Sequence, residues 1–185
     1  MLAAVTGMRQ GEILGLRFQD IGPDCLYIRC AWGRLDGLKL PKNNKPRTVE
    51  LPFPDLLHGL IEQAHRNPWG VSPDSFVFWT EYKADIPMQG RKFLEGLRTA
   101  LIKSGFSETE AGKYQFHGWR HFFTTYLMGK LEKKLLKSQT GHLTDAMLSH
   151  YGEHLKAGDR EQIQTVQREI FGELIPSGAI RIEAV

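Results

Sequence analysis

The segment HGWRHFFTTYL, residues 117–127, constrains the fold more than any other part of the chain. Its apolar residues recur at the 3.6-residue period of an α-helix and form one stripe: Trp119, Phe122, Phe123, Tyr126 and Leu127. At about 100° per residue, a second group falls on the opposite side: His117, Arg120, His121 and Thr124. The segment therefore predicts an amphipathic helix that carries an arginine and two histidines on one face.

A histidine and a tyrosine follow this helix. His142 stands in TGHL, and Tyr151 comes nine residues later, on a second short predicted helix. Taken alone, Tyr151 is better explained as a packing residue, because Met147 and Leu148 lie on the same face of that helix. Together with the histidines and the arginine, however, it completes a set of side chains suited to phosphate chemistry.

Length and composition predict one globular domain. The chain has 185 residues, of which 41% are hydrophobic and 24% charged, so it can bury a substantial core. No run approaches the roughly 20 apolar residues of a membrane span, and residues 1–20 lack a signal-peptide pattern. The net charge of +3 permits nucleic-acid binding without requiring it.

The two cysteines, Cys25 and Cys30, would point to opposite faces of a strand, so a disulfide between them is not expected. No His or Cys lies nearby at the spacing of zinc ligands. We therefore expect a reduced compartment and a cytoplasmic protein.

The first third of the chain reads as short helices followed by a small antiparallel sheet. Residues 1–5 predict the end of a helix, and GEILGLRF restarts as another, with Arg9 just ahead of it. By itself Arg9 is explained as a solvated side chain. Strands are predicted at residues 25–30 and 46–52, with LDGLKL as a further strand between them. The intervening KLPKNNKPR predicts a lysine-rich loop, which by default is solvated.

Amphipathic helices are predicted for most of the remainder, at residues 54–66, 89–104, 129–139 and 159–173. FVFW, residues 76–79, predicts a short buried strand or extended segment. The helix at 129–139 has a lysine face, which either faces solvent or contacts a phosphate backbone. In the final segment, IPSGAIRIEAV, apolar and charged residues alternate near the end. This pattern predicts an edge strand or a segment that packs on a neighbour.

Three segments stand in an informative order: TGMRQGEILGL (residues 6–16), HGWRHFFTTYL (117–127) and TGHLTDAMLSHY (140–151). They resemble, in turn, the first arginine box, the H-x-x-R-H box, and the G-H box with its nucleophilic tyrosine of the tyrosine recombinase (phage integrase) family. Each match is weak alone, and the three in order are specific. In RTVEL, Glu50 departs from the family's R-x-V-P-L pattern, where proline is usual.

The resemblance implies an α+β fold: a mostly helical catalytic domain with a small antiparallel β-sheet or β-hairpin, as in the DNA breaking-rejoining enzymes. We expect residues 1–158 to form this domain and residues 159–185 to form a C-terminal helix and tail that docks on a neighbouring protomer. The family's N-terminal DNA-clamping domain is expected to be absent.

The resemblance also implies catalytic roles. Tyr151 would be the nucleophile that forms a 3′-phosphotyrosine. Transition-state stabilisation would come from Arg9, Arg120 and His142. His117 would be the general base. The general acid would be Lys42, with Lys45 as second choice.

Other residues would support this chemistry. Glu12 would brace the site, and His121 follows the arginine as in many relatives. Contacts to the DNA backbone are expected from Lys39, Lys45, Arg47, Lys133, Lys134 and Lys137. Arginine and histidine donors can stabilise a phosphoryl transition state directly, and the sequence has no carboxylate cluster typical of a metal nuclease. We therefore expect no metal and no other cofactor.

The function implied is site-specific recombination of double-stranded DNA, namely integration and excision of a mobile element by strand cleavage and rejoining. Two alternatives stay open: a topoisomerase-like nicking-closing enzyme, and a non-catalytic DNA-binding or regulatory fragment. Without DNA we expect a monomer, which would assemble as a tetramer on paired DNA sites.

Overall fold

The computed structural model describes residues 1–42, 44–141 and 157–175, so His142 and Tyr151 lie outside the described part of the chain. Within these ranges the chain is mostly helical. The helices, numbered in chain order, are α1 (Leu2–Thr6), α2 (Gln10–Leu14), α3 (Pro54–His65), α4 (Gly90–Lys103), α5 (Glu108–Lys113), α6 (Gly118–Leu127), α7 (Lys133–Thr140) and α8 (Ala157–Phe171). None of them is both long enough and apolar enough to cross a membrane.

Four short strands form two antiparallel pairs in the described residues. The strands are β1 (Cys25–Ile28), β2 (Ala31–Gly33), β3 (Gly37–Lys39) and β4 (Arg47–Glu50). β1 pairs with β4, where Leu26 lies opposite Val49, and β2 pairs with β3, where Trp32 lies opposite Leu38. The predicted α+β fold, mostly helical with a small antiparallel sheet, is confirmed. Residues 76–79 form no strand: Phe76 and Trp79 make isolated bridges, and the two residues between them lie in a bend.

The break between α1 and α2 is built on Gly7. Its φ of 62° is left-handed and ends α1. A Cβ atom at this position would lie 2.5 Å from Cδ1 of Phe123, so the absent side chain also lets the ring of α6 approach the backbone. The chain then restarts as α2 with Arg9 at its N-cap. Gly7 therefore determines where the first arginine lies relative to α6.

One core joins most of these elements. Its fully buried side chains include Val5, Met8, Ile13, Leu16, Leu26, Ile28, Val49, Leu51, Leu60, Leu127, Leu135 and Ile163. Within it, Phe123 of α6 stacks on Phe171 of α8, with ring centroids 5.8 Å apart and planes 15° from parallel. The described part of α8 therefore packs into the same core as α1, α6 and the strands.

The apolar stripe predicted for α6 is only partly correct. Phe123 and Leu127 are fully buried, but Tyr126 is 53% exposed. Arg120, predicted on the side away from the stripe, is 1% exposed. The reason is that α6 is covered on more than one side: α8 packs beside Phe123, while the ends of α1 and α7 cover Arg120.

The helix predicted from residue 129 begins four residues later, at Lys133. Gly129 adopts a left-handed φ of 85°, and Met128 is extended, so the chain turns before α7 starts. Opposite the lysine face of this segment, three leucines are buried: Leu131, Leu135 and Leu136. The lysine side chains of the first turn of α7 are exposed, as the amphipathic pattern predicts.

Candidate active site

A buried carboxylate, Glu12, lies at the centre of the candidate site. Its side chain is 1% exposed, and each oxygen accepts two hydrogen bonds. Oε1 accepts from Nη1 of Arg9 and from Nη1 of Arg47, both at 2.9 Å. Oε2 accepts from Nη2 of Arg47 at 2.7 Å and from the backbone N–H of Arg9 at 2.8 Å. One carboxylate therefore fixes two guanidinium groups.

The protonation state of Glu12 follows from two opposing effects. Burial acts to raise the pKa of Glu12, but the hydrogen bonds and positive charges of Arg47 and Arg9 outweigh it, and the pKa lies below its ordinary value. Glu12 is therefore ionised at neutral pH and neutralises only part of the charge around it.

Arg9 presents its side chain at the N-cap of α2. A cation is unfavourable at a helix N-terminus, where the backbone N–H groups point outward. Glu12, in the first turn, compensates by accepting bonds from both the side chain and the backbone of Arg9. The Arg9 side chain remains 21% exposed, and its Nη2 lies 3.5 Å from the carbonyl oxygen of Gly141. Arg9 is thus held on one side and open to solvent on the other.

Arg47 is held within the site by Glu12. It was predicted to contact the DNA backbone, but its side chain is 10% exposed and its guanidinium binds both oxygens of Glu12. Its Nε also donates to the carbonyl oxygen of Gln139, at 2.9 Å. The only sequence signal is a basic residue at the first position of a strand, which does not identify a partner 35 positions away.

Arg120 ties α6 to the ends of two other helices. Nη1 donates to the carbonyl oxygen of Gly7 at 2.8 Å, and Nη2 donates to that of Thr140. Burial lowers the pKa of Arg120 to about 10, with the charge of Arg9 the next cause, so the group still carries its charge at neutral pH. Arg120, Arg9 and Arg47 all reach the C-terminal end of α7.

His117 and His121 lie at the start of α6 with their rings edge to face, their centroids 5.0 Å apart. Both side chains are exposed. Partial burial lowers the pKa of His117, and the charges of His121, Arg120, Arg9 and Lys42 lower it further. His117 is therefore neutral near pH 7, and Lys42 lies close enough to act on it.

In the cluster of Arg9, Arg47, Arg120 and Glu12, the positive charges outnumber the negative charge. Around one ionised carboxylate lie three guanidinium groups, so the described part of the site keeps a positive charge. Because arginine donors are planar and forked, they suit an anion with several oxygens, such as a phosphate ester.

A family model for the phage integrase family matches residues 1–157. The chain belongs to the tyrosine recombinase (phage integrase) family. A search of curated protein sequences found no match.

Solved structures share the fold of this integrase-family chain. One is the Tn1549 transposon integrase in complex with a circular intermediate DNA, with a TM-score of 0.59 and 19% sequence identity over 86% of this chain. Another is the same integrase in complex with transposon right end DNA, with a TM-score of 0.57 and the same identity and coverage. The chain spans 55% of the length of each of these structures.

The remaining predicted residues of this integrase-family chain fall into two groups. His142 and Tyr151 lie outside the described residues. The second group is the lysines predicted to contact DNA: Lys45 is exposed before β4, and Lys133 and Lys134 are exposed on α7, whereas Lys137 is partly buried. Lys39 is exposed on β3, where it pairs with Asp36.

Proposed function

We propose that this chain is the catalytic part of a site-specific recombinase that integrates and excises a mobile element. It would cleave and rejoin double-stranded DNA through a 3′-phosphotyrosine, without a metal ion. The observation that carries the proposal is the cluster of Arg9, Arg47 and Arg120 around the ionised Glu12, in a chain of the tyrosine recombinase family.

The arginine cluster supports this chemistry because charge builds on the non-bridging oxygens of a phosphodiester as a nucleophile adds. Donors that are already oriented stabilise this charge without reorganising during the reaction. Glu12 holds Arg9 in one orientation and leaves part of its side chain exposed, which suits contact with a scissile phosphate. Arg120 and His142 would complete the set of donors.

In the proposed reaction the nucleophile loses one proton and the leaving 5′-oxygen gains one. The hydroxyl of Tyr151 attacks phosphorus while its proton passes to His117, which is neutral near pH 7 and can accept it. The bond from phosphorus to the 5′-oxygen breaks, and Lys42 donates a proton to that oxygen. The products are a 3′-phosphotyrosine and a free 5′-hydroxyl, and the reverse reaction rejoins the strand. Lys42 is preferred to Lys45 because it is the better match to the family's hairpin lysine, and its charge also helps to lower the pKa of His117.

We extend the proposal to assembly. Residues 1–158 would form the catalytic domain together with α8, which packs into the same core. This domain would be monomeric without DNA and tetrameric on paired sites, in the cytoplasm where DNA is accessible. Residues 159–185 would contact a neighbouring protomer through their tail. The exposed Lys39, Lys133 and Lys134 would contact phosphates and add to affinity without reading sequence.

The test uses nicked suicide duplexes that carry the ends of the element around the gene. Cleavage releases a short fragment from such a duplex, so the covalent product accumulates and migrates slowly on a denaturing gel. The unsubstituted chain should form this adduct and Tyr151→Phe should not. Tyr126→Phe is the matched control, because Tyr126 is an exposed tyrosine on α6, and it should form the adduct normally.

The other outcomes separate the alternatives. Strand exchange between two duplexes identifies a recombinase, whereas an adduct with relaxation of supercoiled DNA and no exchange identifies a nicking-closing enzyme. Absence of an adduct on duplexes that the chain demonstrably binds would refute the catalytic proposal and leave a DNA-binding fragment.

A further inference from the structure

A second buried carboxylate, Glu50, lies outside the arginine cluster. It is 0% exposed at the end of β4, at the position where the resembled family pattern has proline. Its Oε1 accepts from Nε of Arg160 at 2.9 Å, and its Oε2 accepts from Nε2 of Gln164 at 3.0 Å and from Nη2 of Arg160 at 3.4 Å. Asp24 is a second acceptor for Gln164, at 2.9 Å. The two donors lie one turn apart on α8.

The backbone N–H and carbonyl of Glu50 also make hydrogen bonds to buried side chains. Its N–H donates to Oε1 of Gln139 at 2.8 Å, and its carbonyl accepts from Nε2 of Gln167 at 3.0 Å. Gln139 and Gln167 are both 0% exposed, on α7 and α8 respectively. A proline at this position would have neither the N–H that binds Gln139 nor the carboxylate that binds α8. Glu50 therefore joins β4 to both helices.

This junction is continuous with the candidate active site. Gln139 binds Glu50 through its side chain, and through its carbonyl oxygen it accepts from Arg47, which in turn binds Glu12. The next two residues, Thr140 and Gly141, supply the carbonyl oxygens that accept from Arg120 and Arg9. In sequence, α7 and α8 are the elements on either side of residues 142–156, which include Tyr151.

We propose that Glu50 is a positioning residue for strand cleavage. By fixing Gln139 on α7 and Arg160 on α8, it holds the two helices that flank the nucleophile at defined positions relative to the arginine cluster. The inference rests on the proposed function, in which Tyr151 is the nucleophile. Such an ion pair adds little to stability, since the desolvation of the buried Glu50 carboxylate offsets its attraction to Arg160. The role assigned to it here is to hold β4 and α8 in one arrangement.

The test measures the rate of adduct formation in a single turnover at saturating nicked duplex, separately from DNA affinity. Glu50→Gln and Arg160→Gln should each slow the reaction about tenfold to a hundredfold, since small misplacements of reacting groups have effects of this size. DNA affinity should be unchanged. The double variant should be no slower than the slower single variant, because both substitutions remove the same interaction between Glu50 and Arg160.

Controls distinguish positioning from general destabilisation. Glu95→Gln removes a carboxylate that pairs with the exposed Arg91 on α4, and it should leave the rate unchanged. Arg160, at 39% exposed, is the substitution more easily tolerated by the fold, and Arg160→Lys should recover part of the rate. A folded Arg160→Gln variant that cleaves at the normal rate, even with a lower unfolding temperature, would overturn the proposal.

Amide hydrogen exchange tests the positioning role of Glu50 without requiring the chain to cleave DNA. If the unsubstituted chain forms no adduct, the proposed function fails on its own. Arg160→Gln should still lose protection at residues 137–141, at the C-terminal end of α7 and its cap, as well as in α8. Unchanged protection at residues 137–141 would overturn the positioning role.

Discussion

Replacing Glu12 with glutamine isolates the contribution of the buried carboxylate. The substitution keeps the shape of the side chain but removes its charge and turns one acceptor into a donor that faces arginine N–H groups. Removing one partner of a buried ion pair costs about 3 to 5 kcal/mol. The Arg9 side chain is 21% exposed and regains some hydration, so the lower end of about 3 kcal/mol is expected. For a chain of this length, that lowers the unfolding temperature by about 6 to 12 °C.

The pH dependence of this effect has a definite sign. The pKa of Glu12 in the folded chain lies below its ordinary value of 4.5, so the ionised carboxylate contributes its full stability above about pH 4.5. That contribution is lost as the pH falls through the folded-state pKa. The difference in unfolding temperature between the natural chain and Glu12→Gln should therefore be constant near neutral pH and narrow in acid.

Thermal unfolding followed by circular dichroism measures both quantities. The control is Glu62→Gln, which removes a 41% exposed carboxylate from a pair with His58 on α3 and should change the unfolding temperature by less than about 2 °C. If Glu12→Gln unfolds within that margin at pH 7, the carboxylate is not the brace that its four hydrogen bonds indicate. A difference that stays constant into acid would show that the lost contacts do not depend on its charge.

Two further predictions concern the general base and the α1–α2 turn. Because the pKa of His117 lies below its ordinary value of 6.5, the single-turnover rate of adduct formation should fall to half its maximum only below pH 6.5. A half-maximal rate reached above pH 6.5 would contradict a neutral His117 acting as the base. Gly7→Ala should lower the free energy of unfolding by about 2 to 5 kcal/mol, because a left-handed residue gains a Cβ that collides with Phe123. Gly129→Ala is its control in denaturant titrations, since Gly129 has a φ of 85° and open space around it; equal losses in the two variants would refute the role of the ring contact.

Interactions between residues close in sequence could be predicted from the sequence, both in the site and elsewhere in the fold. Arg9 and Glu12 lie three residues apart, a spacing at which side chains meet at the start of a helix. The capping box at Ser107 and Glu110, and the stop at Gly105, are also formed by neighbours in sequence. These interactions depend on φ, ψ and helical period alone, so the residue types and their spacing suffice to predict them.

Long-range partners could not be predicted in the same way. Glu50 binds Arg160 across 110 positions, and Arg47 binds Glu12 across 35. Read along the chain, each is a charged residue in a short strand with no local partner, and it could equally face solvent. The burial of Arg120 has the same origin, since its acceptors are carbonyl oxygens at the ends of α1 and α7.

The sequence by itself therefore determined the order of the helices, some of their ends and the family, because these follow from periodicity and from short motifs. Only the tertiary structure decided which arginines share Glu12, which face of α6 is buried and what Glu50 holds. The physical reason is that a buried charge is stable only where the folded chain supplies its counter-charge and hydrogen bonds, and those groups come from distant elements.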